Sequence, residues 1–200
     1  MTLIGKKTLC ALLLCATMIP VIASADENNA KLSGFEFGLG AGGSQFDLSE
    51  PGTSGTVSLG GGLYTALAGY RFNRWGAIEA SYIDSGYVRK ASSLALFKTE
   101  PHLVTATGVG MLPIFDSFAL FARAGLAHWW YTADFGFAGL GEASFRDTSN
   151  ELIWGAGASL LVDRAQLRLE YGQTKTSPDF EGVPFDFQLR MLTLSVVWTL

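Results

Sequence analysis

Apolar and small polar residues alternate with a period of two in eight separate segments of this chain. The final segment, "QLRMLTLSVVWTL", places leucine, valine and tryptophan on one face and mostly threonine and serine on the other. Because successive side chains of a β-strand point to opposite faces of the sheet, this period predicts strands. The eight segments span residues 33–43, 63–72, 77–82, 103–112, 118–130, 153–162, 166–174 and 188–200.

The apolar face of each predicted strand carries no charge. Six charged residues share the opposite face, which is otherwise rich in glycine, serine and threonine: Glu36, Arg71, Glu79, Arg123, Arg168 and Glu170. The solvent face of a soluble β-sandwich would carry many more charges than these. An uncharged aromatic face suits contact with lipid, and a face of small residues with a few long side chains suits the inside of a narrow barrel.

The connections between the predicted strands alternate in length. Short connections fall at residues 73–76, 113–117 and 162–165, and longer polar stretches fall at 48–58, 84–99, 133–149 and 176–187. A strand that crosses lipid must have all its backbone groups paired, so the sheet must close on itself. The sequence therefore predicts an all-β fold, an eight-stranded antiparallel up-and-down transmembrane β-barrel over residues 26–200, in which the last strand pairs with the first.

The N-terminal 25 residues have the pattern of a secretory signal peptide. Lys6 and Lys7 precede an apolar run over residues 9–22, and Ala23, Ser24 and Ala25 form a small-x-small cleavage site. The alternative is a transmembrane anchor, but the apolar run is shorter than the roughly 20 residues that a membrane-spanning helix needs. The pattern therefore predicts a signal peptide at 1–25 and export of the remaining chain.

The composition excludes several classes of function. Both cysteines, Cys10 and Cys15, lie in the predicted signal peptide, so the mature chain has no disulfide or thiol site. The formal charge of −4 becomes −6 when the two signal-peptide lysines are removed, which argues against a nucleic-acid partner. The two histidines, His102 and His128, lack metal-ligand spacing. We expect neither a metal nor another cofactor.

Three stretches, "GYRFNRWGAIEASY", "GVGMLPIFDSFALFARAGLA" and "LRLEYGQT", resemble the transmembrane domain of the OmpA family of small outer-membrane barrels in order and spacing. The resemblance covers most of the mature chain. It implies a place in the outer membrane of a Gram-negative bacterium, in contact with lipid and lipopolysaccharide. In that family, inward charges form a salt-bridge network that blocks or gates the lumen. By this resemblance, Glu79, Arg123 and Arg168 correspond to members of this network. Two further positions that are charged in the family correspond to Val109 and Ser159 in this chain.

The C-terminal strand resembles the signal that the outer-membrane assembly machinery reads in such barrels. The signal consists of alternating apolar residues, an aromatic residue two positions before the end and a large apolar terminus. The matching residues are Leu192, Leu194, Val196, Trp198 and Leu200. The family pattern usually ends in Phe, so Leu200 departs from it. The resemblance implies that the assembly machinery is a partner of this chain.

Three function classes fit these observations: a structural outer-membrane protein whose loops touch the environment, a narrow intermittent channel, and a lipid A-modifying enzyme. The enzymes of that class use a His–Ser pair with a carboxylate, and a base must lie within hydrogen-bond reach of its nucleophile. The residue two positions after His128 is Trp130, and the one two positions after His102 is Val104. Neither pair fits, so we expect no enzymatic activity.

Eight strands leave an interior just wide enough for side chains to fill. The six inward charges sum to zero, so we expect them to pair and to close the lumen. Glu79 and Arg168 lie at similar depth on opposite walls of the predicted barrel, which predicts an ion pair across it. Interfacial tryptophans are expected at both membrane boundaries: Trp75 and Trp198 on the periplasmic side, and Trp129, Trp130 and Trp154 on the outer side.

Overall fold

The computed structural model describes residues 33–49, 56–86, 88–91, 95–137, 141–176, 179–180, 183–184 and 186–200; the predicted signal peptide lies outside them. The described residues form strands and turns, and no helix among them could cross a membrane. The strands are β1 Gly34–Ser49, β2 Thr56–Asn73, β3 Gly76–Asp84, β4 Val88–Ala91, β5 Ala95–Pro113, β6 Phe118–Phe137, β7 Gly141–Val162, β8 Ala165–Thr176, β9 Asp179–Phe180, β10 Val183–Pro184 and β11 Asp186–Thr199.

The predicted eight-stranded antiparallel barrel is confirmed. Neighbouring strands pair in the order β3-β2-β1-β11-β8-β7-β6-β5-β4, and a further pairing of β3 with β5 closes the ring. β3 and β4 both pair with β5 and occupy one position of the wall, whereas β9 and β10 form a separate ladder. The first strand pairs with the last over its whole length, as the sequence predicts.

The register of the strands fixes the width of the barrel. Paired residues can be followed once around the wall, from Phe35 through each strand in turn back to Gln45 on β1, ten residues further along. The path runs through Phe35, Tyr70, Ile78, Gly108, Ala124, Trp154, Gln173, Arg190 and Gln45. A stagger of this size tilts the strands by about 35–45° and gives a lumen that side chains can fill.

The alternation in the sequence separates an outer face from a luminal face. Phe35, Leu39 and Leu194 point outward and are more than half exposed, whereas the intervening Glu36 and Val197 are buried. Inward glycines allow the tightly curved strands to approach. A Cβ added to Gly38 would lie 2.8 Å from Val196 O, closer than van der Waals contact allows. This agrees with close packing as the role of the glycine-rich stretch at the start of β1.

The predicted long connections are partly wrong, because the strands run further than the apolar pattern does. β6 continues to Phe137 and β7 resumes at Gly141, so only residues 138–140 separate strands where a connection over 133–149 was expected. The other three connections are shortened in the same way. Each residue added to a ladder gives its backbone groups a partner, so pairing continues beyond the region where lipid contact requires apolar side chains.

The ends of the barrel differ. Short turns at residues 73–76, 113–118 and 162–165 define the turn end, and the opposite end is the loop end. In the first turn Asn73 Oδ1 accepts hydrogen bonds from the backbone N–H groups of Trp75 and Gly76. In the third turn Asp163 has φ 56°, a left-handed conformation that aspartate tolerates better than most residues.

Candidate functional site

A layer of paired charges crosses the lumen near the turn end. The Arg71 guanidinium donates from Nε to Glu36 Oε1 at 2.7 Å and from Nη2 to Gln166 Oε1 at 2.8 Å. The Arg168 guanidinium donates from Nη1 to Glu79 Oε1 at 2.5 Å and from Nη2 to Glu36 Oε2 at 3.4 Å. All five residues are buried. We call this set, Glu36, Arg71, Glu79, Gln166 and Arg168, the charge layer.

Glu79 and Arg168 come from opposite walls, β3 and β8, and the structure joins them as the sequence predicts. Gln166 was not among the predicted site residues. Its signal in the sequence is its place two residues before Arg168 on the same face of β8. Its Oε1 accepts hydrogen bonds from both Arg71 and Arg168. The amide oxygen therefore lies between two guanidinium groups of like charge.

The charge layer is neutral, with two carboxylates facing two guanidinium groups. Glu36 contacts both arginines and also accepts a hydrogen bond from Thr199 Oγ1 at 3.2 Å. A charge removed from water is destabilising unless it is paired and its remaining hydrogen-bonding atoms are satisfied. These contacts meet that condition and hold four long side chains across the lumen.

Apolar groups occupy the part of the lumen where two charges of the OmpA network are absent. Val109 and Ser159 both face the lumen and are buried. Val109 belongs to a small cluster with Ala77, Met111 and Phe121. The guanidinium carbon of Arg168 lies 5.7 Å from the centroid of the Phe121 ring, within the range of a cation–π contact. The lumen is therefore filled here by apolar packing rather than by further ion pairs.

The remaining two predicted charges form a separate pair. Arg123 Nε lies 2.7 Å from Glu170 Oε1. The contact is an ion pair without an aligned hydrogen bond, because the Nε group has no hydrogen-bond acceptor in good geometry. Both side chains are slightly more exposed than those of the charge layer. The six predicted charges are thus all luminal, but they form two groups.

Several side chains midway along the lumen are less buried than those of the charge layer. The inward-facing residues Thr65, Leu67, Glu170 and Thr193 are half-buried, although they lie inside a closed wall. Ser81 and Thr105 are buried at the same level, and their hydroxyl groups have no partner among the described residues. We infer that these residues line a polar part of the lumen that side chains do not fill completely. We call it the middle chamber.

A cluster of apolar side chains fills the lumen on the loop-end side of this chamber. Leu103 and Leu189 have no exposed surface, and Leu63 lies on β2 eight residues above Arg71. We call this cluster the apolar seal: Phe46, Leu63, Ile83, Leu103, Ala127, Trp129, Ile153, Leu189 and Met191. The expectation of a luminal face that is mostly small and polar is therefore wrong for this part of the barrel. Its residues come from seven strands, so no single segment of the sequence reveals the cluster.

Trp129 corrects the prediction that three tryptophans face the outer interface. It points into the lumen and is 3% exposed, whereas its neighbour Trp130 points outward. Adjacent residues of a strand face opposite ways, so only one of the two can contact lipid. Trp154 points outward as predicted, and so does Trp198, whose ring stacks on Phe37 with a centroid distance of 5.4 Å.

Neither histidine contacts a serine or threonine hydroxyl group among the described residues. His102 Nδ1 lies 3.0 Å from Tyr82 Oη and 3.8 Å from Asp84 Oδ1. His128 Nδ1 lies 2.8 Å from Asn150 Oδ1. Both rings lie on the outer face beside Trp130. The geometry agrees with interfacial histidines rather than with a nucleophile–base pair.

The C-terminal strand presents its alternate residues to the outside. These are Leu192, Leu194, Val196, Trp198 and Leu200, the five residues of the resemblance to an assembly signal. Leu200 N–H donates to Phe35 O at 2.8 Å, and Thr199 N–H donates to Arg164 O at 2.9 Å. The terminus is therefore held at the seam between β1 and β11. Recognition of this strand by the assembly machinery stays a prediction.

Comparison with protein families identifies the barrel. The model of the family described as "Outer membrane protein beta-barrel domain" matches residues 10–199. No curated protein matches this chain.

Two solved structures illustrate the shared fold. The Neisserial surface protein A is 18% identical, with a TM-score of 0.59 over 82% of this chain and 97% of that one. Ail, the attachment invasion locus protein of Yersinia pestis, is 19% identical, with a TM-score of 0.51 over 82% of this chain and 98% of that one. Ail has also been solved in complex with the heparin analogue sucrose octasulfate, at a TM-score of 0.52. At these identities the likeness concerns the fold alone.

Proposed function

This chain belongs to the outer membrane protein β-barrel domain family, and from that premise we propose that it is a structural outer-membrane protein with a closed lumen. Its place is the cell outer membrane. We propose that the turn end faces the periplasm, as short turns do in such barrels, and that the loop end faces the outside. The part of the protein that meets other molecules is then its outer surface and not its interior.

The observation that supports this proposal is that buried side chains cross the lumen at two levels. The charge layer blocks the turn end with buried side chains joined by ion pairs. The apolar seal blocks the loop end with side chains that leave almost no exposed surface. To cross the barrel, an ion would have to separate the ion pairs of the charge layer and lose its hydration shell in the apolar seal. Eight-stranded barrels are narrow enough for both kinds of closure.

The second candidate is a narrow channel that opens intermittently. The middle chamber favours it, because half-buried polar residues there indicate a space that water can enter. A channel would need coordinated movement of the charge layer and the apolar seal. The buried contacts of the charge layer and of the apolar seal support the closed barrel more strongly.

A role in contact with the environment is supported by the reach of the outer strands. β6 extends to Phe137, seven residues beyond Trp130, and β7 starts at Gly141. At about 3.3 Å per residue this is about 23 Å of paired strand past the aromatic residue. We propose that this hairpin contacts partners outside the cell, without enzymatic chemistry. The sucrose octasulfate bound by Ail is not carried over, because this chain has a formal net charge of −4.

Single-channel recording in planar bilayers tests the proposal. We expect the wild-type barrel to show no sustained openings. We expect the same of Glu79→Gln, which weakens the charge layer, and of Trp129→Ala, which opens the apolar seal, because the other layer still closes the lumen. The double variant should conduct. Ile78→Ala, on the lipid face, is the control. Heat-dependent gel mobility verifies that each variant is folded. Frequent long-lived openings of the wild type would establish the channel instead.

A further inference from the structure

At the loop end, β7 rises above the closed ring of strands. It pairs with β6 along residues 141–160, but with β8 only along residues 153–162. The hydroxyl of Ser149 still lies 3.0 Å from Thr176 Oγ1 at the end of β8. Above this contact, residues 141–147 pair with β6 alone among the described parts of the chain, and β9 and β10 pair with each other. We call residues 141–147 the open edge.

The open edge has backbone hydrogen-bonding groups that point away from β6. Leu161 N–H donates to Ser117 O at 2.7 Å, in the turn before β6, so the backbone groups of Leu161 point to the β6 side. Successive residues of an antiparallel strand direct their N–H and C=O groups to alternate sides, and both ladders of β7 are continuous over the described residues. The backbone groups of Glu142, Ser144 and Arg146 therefore point to the open edge.

The sequence of the open edge, "GEASFRD", is self-complementary in charge. When two copies run antiparallel with Ser144 opposite Ser144, Glu142 of each copy lies opposite Arg146 of the other. No other antiparallel register opposes these two residues, and in this one Asp147 lies opposite Gly141. Opposite charges directly across a ladder stabilise it, and like charges destabilise it. Charges on a sheet edge usually prevent pairing, but in this register they favour pairing with a second copy.

Neither of the two complementary charges is opposed by a charge on β6. The residues across the ladder from them are Gly136 and Thr132. The nearest charge on β6, Asp134, lies opposite Lys98 on β5. Charges further from the open edge at this end include Arg89, Lys90, Glu100, Asp179 and Asp186. The register of the ladders thus leaves both complementary charges available to a strand that joins the open edge.

The tilt of the strands determines where the second copy can be. Two copies in one membrane that turn their open edges toward each other are related by a two-fold axis along the membrane normal. Their β7 strands, each tilted by about 35–45°, would cross at about 70–90° and could not pair. Two copies in facing membranes can be related by a two-fold axis perpendicular to the sheet. That axis makes the two open edges antiparallel and in line, as a symmetric contact between identical surfaces requires.

We propose that the open edge pairs with the open edge of a second copy in a facing membrane and so joins two membrane surfaces. The pairing rests on the proposed function, in which the loop end faces outside, and it gives the β6–β7 hairpin a second copy of this chain as its partner. About six backbone hydrogen bonds form, two for each opposed pair of residues whose backbone groups point to the edge. Such a contact is small, so many copies on each surface act together.

Docking of phosphatidylcholine vesicles that carry the folded full-length barrel tests the proposal. Energy transfer between two vesicle populations, labelled with donor and acceptor lipids, measures docking. We expect wild-type vesicles to dock. Ser144→Pro should abolish docking, because it removes the N–H group at the centre of the open edge, which the ladder with β6 does not use. Heat-dependent gel mobility verifies that each variant is folded.

Charge variants test the register. Glu142→Arg and Arg146→Glu should each lower the initial rate of docking about tenfold or more, because like charges then oppose each other at every contact. Lys175→Glu, on β8, changes the net charge by the same amount as Arg146→Glu but lies outside the open edge. It should dock as the wild type does, which separates the effect of register from general repulsion between vesicles.

The double variant Glu142→Arg/Arg146→Glu keeps the net charge of the wild type. It should dock with vesicles that carry the same double variant and not with wild-type vesicles, because only the mixed contact opposes like charges. Wild-type vesicles that do not dock, docking that survives Ser144→Pro, or equal docking of the double variant with both populations would overturn the proposal. None of these results alters the conductance expected of a closed barrel, so the proposed function stands or fails separately.

Discussion

At the scale of single residues, the two partners of the cross-lumen ion pair are not equivalent. Glu79 contacts one cation, Arg168, whereas Arg168 contacts Glu79, Glu36 and Gln166. Removal of Arg168 therefore leaves a carboxylate without its cation and takes a contact from two other side chains. Removal of Glu79 leaves Arg168 still paired with Glu36. The burial of all these groups makes the loss of a partner costly.

We expect Arg168→Ala to lower the free energy of unfolding by roughly 3–5 kcal/mol, the usual cost of breaking a buried pair, and Glu79→Ala to lower it by less. The double variant should cost clearly less than the sum, because the single variants each remove the same contact. Reversible urea unfolding in lipid vesicles measures all four proteins. Arg74→Ala, in the first short turn, is the control. Strict additivity would show that the two side chains do not interact.

At the scale of elements, β6 shows how one strand presents side chains to the outer face and to the lumen. Leu126, His128 and Trp130 face outward, while Ala127 and Trp129 belong to the apolar seal. The strand therefore carries two adjacent tryptophans with different surroundings. Its direct neighbours β5 and β7 contribute Leu103 and Ile153 to the same seal, so the cluster is built by alternation on several strands.

The two tryptophans should differ in lipid quenching. In variants that retain a single tryptophan, we expect the fluorescence of Trp130 to be quenched by brominated lipids, because its ring faces outward. Trp129 should be shielded from both brominated lipid and aqueous acrylamide, since its side chain is buried in the lumen. Trp154, exposed on the lipid face, is the positive control. Strong lipid quenching of Trp129 would mean that the assigned face of β6 is reversed.

At the scale of the whole molecule, the closed ring of strands leaves no unpaired sheet edge. The pairings β1–β11 and β3–β5 join the two ends of the sheet order. In lipid, an open edge would leave backbone groups without hydrogen bonds, so a barrel of this kind unfolds as a unit. The large outward apolar surface, including Phe35 and Leu200, is stable only against lipid or detergent.

We expect the chain to fractionate with the outer membrane and to migrate on gels at a different position before and after boiling. The unboiled barrel keeps its closed hydrogen-bonded wall in mild detergent and is more compact than the unfolded chain. A variant with Thr193→Pro on β11, which removes a backbone donor beside β1 and β8, should lose the mobility difference. A wild-type chain found in the soluble periplasm without a mobility shift would contradict this expectation.

The sequence by itself determined the properties that depend on alternation. The period of two assigns each residue to the lipid face or the lumen, and the charge-free apolar face predicts a membrane barrel. For the same reason the sequence predicts that all six charged side chains point into the lumen. Closure of the last strand on the first followed from the need to pair every backbone group in lipid.

Only the tertiary structure decided which luminal side chains meet. The ten-residue stagger around the wall sets the relative heights of strands that are far apart in sequence. It brings Gln166 between two arginines, separates Arg123 and Glu170 from the charge layer, and gathers the apolar seal from seven strands. Alternation is a local property of a strand, whereas contacts across the lumen depend on register and closure, which no single segment of the chain contains.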